Sequence, residues 1–123
     1  MAHHNETGLL GESLAAKYLA EKGFLIYHQN WRHGHWEVDF IASYGDVLHF
    51  IEVKTRRTAK FGYPEEDVTK KKMENLSNAS EEYLFLNPGW KRIQFDVLSI
   101  TLLKNQPAAF FFIEDVYIND SGS

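Results

Sequence analysis

No cysteine occurs in the sequence, so disulfides, thiolate zinc sites and cysteine nucleophiles are all excluded and a reducing compartment is permitted. The opening residues, Met1-Ala2-His3-His4-Asn5-Glu6, lack the charged-then-apolar layout of a secretory signal. The longest apolar stretch, Pro107 to Ile113, is far too short to span a bilayer. A cytoplasmic protein without membrane contact is therefore expected. Positive charge is also short: the formal net charge is -4, which argues against a protein that coats nucleic acid by bulk electrostatics. Neither a phosphate-cradling glycine loop nor a nucleophile elbow is present.

What is present suits one small domain. The chain has 123 residues, of which 44% are hydrophobic and 15% aromatic, enough to bury a core without a disulfide or structural metal. A single domain is expected over residues 1–123, with its core over about 7–118 and a short tail at 119–123. Seven of the thirteen Lys and Arg residues fall between Lys54 and Lys72. Glu65, Glu66 and Asp67 interrupt them, so the segment is either a local phosphate-facing patch or a solvated face.

Periodicity gives the order αβββαββ. Residues from about Thr7 to Lys22 have helical spacing, with Leu10, Leu14 and Tyr18 four apart and Gly23 as the stop. Glu12 shares a helical face with Ala15, Ala16 and Leu19, where a carboxylate must find a partner or shift its pKa. Strands are predicted at Phe24–Tyr27, Trp36–Ser43 and Val47–Thr55, turning at His33-Gly34-His35 and Tyr44-Gly45-Asp46. Gly62 and Pro64 give the next segment turn character. A second helix is predicted from about Glu66 to Leu86, ended by Asn87-Pro88-Gly89, and two strands follow near Arg92–Ile100 and Phe110–Tyr117.

The informative residues lie on the second and third strands. Glu37 and Asp39 share a strand face, as do Glu52 and Lys54, together with Ile41, Leu48 and Phe50. If Gly45-Asp46 is a two-residue type II′ loop, paired positions sum to 91 and Asp39 faces Glu52, while Glu37 faces Lys54. Two opposed carboxylates are destabilising unless something positive sits between them. A divalent cation satisfies that requirement, and oxygen donors without cysteine suit Mg²⁺ or Mn²⁺ better than zinc. Lys54 adds a positive charge able to hold a phosphate oxygen or an attacking water. The plainer reading is a cross-strand salt-bridge ladder on a solvated face, but the large apolar residues on that face fit a lined cleft better.

Gly11-Glu12, Asn30-Trp31-Arg32, Glu37-x-Asp39-x-Ile41-Ala42, Phe50-x-Glu52-Val53-Lys54-Thr55-Arg56, Lys72-x-x-x-Leu76 and Phe95-Asp96-Val97 occur in this order. Together they resemble the YraN family, also called UPF0102, from about Gly8 to Tyr117. The resemblance implies a restriction endonuclease-like, PD-(D/E)-x-K domain: a three-layer α/β fold with a central mixed sheet flanked by helices, similar to Holliday junction resolvases. It implies metal ligation by Asp39, Glu52, Glu12 and the Val53 carbonyl, with Lys54 supporting the nucleophilic water and Glu37 acting behind the ligands. Lys72 matches a basic position on the second helix. Trp36 stands where many members have glycine, and Gln94 where an arginine precedes Phe95-Asp96.

The expected activity is that of a Mg²⁺- or Mn²⁺-dependent endonuclease acting on nucleic acid, DNA in the first place, with branched or repair intermediates among the substrates. Arg56, Arg57 and Lys72 are expected to contact phosphate, and a homodimer or protein partner is compatible with the small size and net acidity. The alternative is a nucleic-acid-binding module of the same fold without turnover, working within a larger complex. His33-x-His35 reads as a pair of exposed turn residues. Phe110-Phe111-Phe112 reads as a strand filling both its faces rather than a stacking platform for bases.

Overall fold

The computed structural model describes residues 6–57 and 68–116. Helix α1 (Glu6–Glu21) precedes three strands, β1 (Leu25–His33), β2 (Trp36–Tyr44) and β3 (Val47–Arg56). Helix α2 (Lys70–Leu86) then leads to β4 (Arg92–Thr101) and β5 (Ala109–Ile113). The strands form one mixed sheet in the order β1-β2-β3-β4-β5, with β3 and β4 parallel and the other neighbours antiparallel. Parallel neighbours need a crossover, and α2 lies in that connection. The expected αβββαββ order and restriction endonuclease-like α/β architecture hold. No described helix is long and apolar enough to cross a membrane.

Each sheet face carries its own core, which makes three layers. Val38, Ile41, Leu48, Phe50 and Val97 pack with Met73, Leu76, Ala79 and Tyr83 of α2. On the other face Phe40, Ile51, Leu98 and Ile100 pack with Ala15 and Leu19 of α1. The buried stripe of α1 is Gly11, Ala15 and Leu19, whereas Leu10 is exposed. Small residues, not the Leu10-Leu14-Tyr18 series, therefore bring the helix down onto the sheet, and Glu12 borders that stripe.

Three boundaries differ from expectation. Strand β1 continues past Tyr27 to His33, because an edge strand needs apolar residues on one face only, and the polar stretch pairs with β2 from Gln29↔Phe40 to His33↔Trp36. Helix α2 begins at Lys70, where Thr69 in an extended conformation accepts the Lys72 N–H and caps the first turn. Residues 66 and 67, expected in this helix, lie outside the described residues, as do Gly62, Pro64 and the tail. Strand β5 stops at Ile113, before Asp115 adopts φ 57° and Val116 donates to the Phe95 carbonyl; Tyr117 is not described.

The β2–β3 hairpin has the expected register. Phe40↔Ile51 to Tyr44↔Val47 all sum to 91, and Gly45 has the positive φ, 63°, of a type II′ turn. The ladder ends at Phe40↔Ile51, so Asp39 and Glu52 are not a ladder pair. A phase slip accompanies this break. Val38 and Ile41 both face α2 although they are three apart, while Phe40 faces α1, so side-chain alternation fails at Asp39. Across from it, between the pairs Gln29↔Phe40 and Trp31↔Val38, Asn30 takes the left-handed φ of 57°, a conformation asparagine tolerates better than most residues.

The approach of α1 to β3 yields a stability test. A Cβ on Gly11 would overlap the Thr55 hydroxyl and stand 2.9 Å from the Thr55 Cβ. Overpacking of this kind costs about 1–3 kcal/mol, against a gain of up to about 1 kcal/mol from replacing glycine by alanine within a helix. Gly11→Ala is expected to lower the unfolding free energy in urea by about 1 kcal/mol or more. An unchanged or raised midpoint would mean that α1 does not need this close approach.

Candidate functional site

The broken ladder creates the site. Where β2 leaves β3, the Asp39 carboxylate takes the place of a backbone acceptor: its Oδ2 receives the Val53 N–H at 2.7 Å. A pocket of about 290 Å³ opens beside this contact, lined by Thr7, Gly8 and Glu12 of α1, Asp39 of β2, and Glu52, Val53, Lys54 and Thr55 of β3. Glu12, Asp39, Glu52, Val53 and Lys54, separated in sequence by up to 42 positions, thus share one cleft. The Glu12 carboxylate is steadied by Asn30, whose amide donates to Oε1 at 3.0 Å.

Electrostatics set this cleft apart from a surface ladder. Asp39 is pushed from its ordinary value of 3.8 up to about 7, by burial first and then by Glu52, with Glu12 and Glu37 adding to the repulsion and the Val53 N–H opposing it. Glu52 is raised as well, chiefly by burial and also by Glu37, while Lys72 and Lys54 pull the other way. Lys72, in the first turn of α2, is therefore a near neighbour of Glu52.

Glu37 does not pair with Lys54. Its carboxylate lies 3.5 Å from Arg32, its cross-strand partner on β1, at an exposed position. The geometry is thus a cluster of carboxylates offset by two lysines rather than a salt-bridge ladder.

The basic residues divide. Arg57 donates from Nε to the Thr7 hydroxyl at the pocket rim. Arg56 is half-buried, with its Nε enclosed, and its carbonyl accepts the Leu102 N–H; it does not line the pocket. His33 is exposed, 3.1 Å from Glu82, and His35 lies against Trp36. His35 lies in the turn and His33 ends β1 just before it; both are exposed, as expected. Asn30 is a site residue that the sequence marks only within the motif Asn30-Trp31-Arg32, without a role; asparagine is a residue type that accepts left-handed backbone.

A hard divalent cation fits the donor set. All the side-chain donors are carboxylate oxygens, and burying Asp39 among three other carboxylates leaves a local excess of negative charge that one cation offsets. Among the described residues, however, no three His, Asp or Glu side chains form a ready metal-binding cluster. Glu12, Asp39 and Glu52 line one pocket without forming such a cluster; Asn30 holds Glu12 and the Val53 N–H holds Asp39.

Comparison with known proteins places this arrangement in a family. Residues 11–100 match the model of the uncharacterised protein family UPF0102. The chain is similar to a UPF0102 protein of Bacteroides thetaiotaomicron, 41% identical over 81% of this chain and 83% of that one. It is similar to a UPF0102 protein of Phocaeicola vulgatus, 39% identical over 95% and 96% of the two chains. A UPF0102 protein of Rhodococcus opacus is 45% identical over 83% of this chain and 87% of that one.

The raised pKa of Asp39 has a defined consequence for stability. The folded protein holds this proton up to about pH 7 and the unfolded chain only to about 3.8. The contribution is therefore fully present below the unfolded value and is lost as pH rises through the folded one. In chelator, the melting temperature of wild type is expected to fall between pH 5 and 8, and that of Asp39→Asn to fall less. Parallel curves for the two proteins would show that Asp39 is not the titrating group.

Proposed function

The chain belongs to the UPF0102 family, and we propose that it is a metal-dependent endonuclease hydrolysing phosphodiester bonds in nucleic acid, DNA in the first place. One observation carries the reading: Asp39 is buried among Glu52, Glu12 and Glu37 and pushed up to about 7, beside a pocket that Lys54 also lines. A carboxylate cluster of this kind lowers stability in a purely structural role, and binding a cation relieves it.

Asp39, Glu52 and Glu12 would hold Mg²⁺ or Mn²⁺, joined by the Val53 carbonyl. In an extended strand the N–H and C=O of one residue leave on the same edge, so that carbonyl shares the edge on which the Val53 N–H meets Asp39. A divalent cation held there supplies Lewis acidity toward a phosphoryl oxygen and activates water. Lys54, exposed at the pocket, orients the attacking water or neutralises a phosphoryl oxygen. Lys72 opposes the rise in the Glu52 pKa and offers a phosphate contact. Glu37 raises the negative potential from behind. With a net charge of -4, retention of nucleic acid rests on these local cations, and a homodimer or protein partner would extend them.

A second reading rests on the lack of a ready three-ligand cluster among the described residues: a nucleic-acid-binding module of the same fold without turnover. Two measurements separate the readings. A panel of linear and branched DNA and RNA is incubated with Mg²⁺ or Mn²⁺; cleavage is expected, reduced about 100-fold or more in Asp39→Asn and Lys54→Ala. Cleavage that survives Lys54→Ala marks a contaminant. In thermal melts, Asp39→Asn is expected to match or exceed wild type in chelator and to lose the stabilisation by metal. If the variant is clearly destabilised in chelator and neither protein responds to metal, the binding module replaces the enzyme.

Binding gives a further test that does not depend on turnover. Neutralising Arg57 and Lys72 is expected to weaken duplex binding and reduce the salt slope by about 1 per contact removed. Arg56, with its Nε enclosed, is expected to contribute less. Slopes identical to wild type would return these side chains to a solvated-face role.

A further inference from the structure

A larger cavity, about 580 Å³, lies at the opposite end of α1 and β3, lined by Tyr18 of α1, Lys22 just past its end, Phe24, His49 of β3, Gln94 of β4 and Phe112 of β5, among others. Along β3, His49 and Lys54 are five residues apart, roughly 16 Å, so this cavity and the carboxylate cleft are distinct. Their floors differ in kind. Asp96, 0% exposed, accepts from His49 Nδ1 at 2.6 Å, Gln94 Nε2 at 2.9 Å and the Asp115 N–H at 2.9 Å. These contacts fix the histidine tautomer with its proton on Nδ1. His49 is 5% exposed and lines the cavity; with Nδ1 turned to Asp96, Nε2 is the polar atom it has left for a ligand.

Stability does not account for this pair. A buried histidine–carboxylate couple in an apolar setting gives little over a well-packed apolar pair, whereas a carboxylate that orients one imidazole leaves the other nitrogen aimed at a ligand. The walls indicate what that ligand is. Phe24 stands edge-on to His49, with ring centroids 4.9 Å apart, and Tyr18 stacks on Phe110 at 4.8 Å. The Lys22 ammonium lies 5.4 Å from the centroid of the Tyr18 ring. Aromatic rings in the walls, one hydrogen-bonding group in the floor and a cation at the rim match a planar heterocycle carrying an anionic group, and the volume is in the range of small-ligand sites.

We propose that this cavity binds a nucleobase, with its ring edge hydrogen-bonded to His49 Nε2, its faces against the aromatic walls, and its phosphate near Lys22. The base comes either from a free nucleotide or from a strand held by the protein. Phe110 and Phe112, which pack against the α1-side core, line this cavity together with the exposed Phe111.

The test is titration of the histidine ring resonances with nucleoside monophosphates, nucleosides and phenyl phosphate, in EDTA so that the carboxylate cleft takes no part. Saturable binding of monophosphates is expected, with His49 among the shifted resonances. It should weaken about 10-fold in His49→Ala. Lys22→Gln, a change at an exposed position outside the buried core, should weaken monophosphates several-fold and leave nucleosides unchanged. Asp39→Asn should have no effect, which keeps this result separate from the fate of the nuclease reading. A parallel arm with short single-stranded oligonucleotides identifies the source: tighter binding than by monophosphates assigns a base within a strand. The proposal is overturned if no nucleotide binds at millimolar concentration, if phenyl phosphate binds equally well, or if folded His49→Ala and Lys22→Gln both bind like wild type.

Discussion

Asp39 accepts the Val53 N–H at the point where β2 parts from β3, and the functional geometry of the molecule depends on that contact. A backbone donor freed inside a sheet has to be satisfied. Here a side chain does it, so the strands can separate without leaving the donor unpaired. The gap exposes an edge of β3 carrying Glu52, Val53 and Lys54, and α1 closes over it with Glu12 because Gly11 has no side chain to hold the helix away from Thr55. The left-handed Asn30 across from Asp39 matches the distortion on the neighbouring strand and supplies the amide that steadies Glu12.

Much of this was legible from residue order. The turn residues Gly45-Asp46 specify the hairpin register, and a register of 91 holds through all five pairs from Phe40↔Ile51 to Tyr44↔Val47. The small-residue face of α1 locates Glu12 at the cleft. The failure of the ladder beyond Phe40 was not legible, because strict alternation is the only rule a strand pattern supplies. The slip at Asp39 depends on the backbone conformation of Asn30, one strand away. The full length of β1 was hidden for a related reason: His28 to His33 carries little apolar signal, and pairing with β2 rather than composition makes it a strand.

Contacts made by the parallel crossover were beyond reach as well. His49 and Asp96 are 47 positions apart. They meet only because α2 returns the chain so that β4 runs parallel to β3, with His49 beside Gln94 and Ile51 beside Asp96. Nothing local in either segment announces the partner. The same crossover sets Lys72 near Glu52 on the other side of the sheet, so one connection supplies both a cation for the carboxylate cleft and the floor of the aromatic cavity.

The two buried aspartates show why the ends of the sheet differ chemically. Asp96 is enclosed, yet three donors, one of them an imidazole, meet its oxygens; its negative charge is balanced within the fold and serves to orient His49. Asp39 has one backbone donor and three carboxylates around it, which push it toward its protonated form; the cation proposed for this cleft would relieve the same repulsion. Burial is common to both, and the sign of the surroundings separates them. A carboxylate satisfied by donors is a scaffold part, whereas one surrounded by its own kind is pushed toward its neutral form.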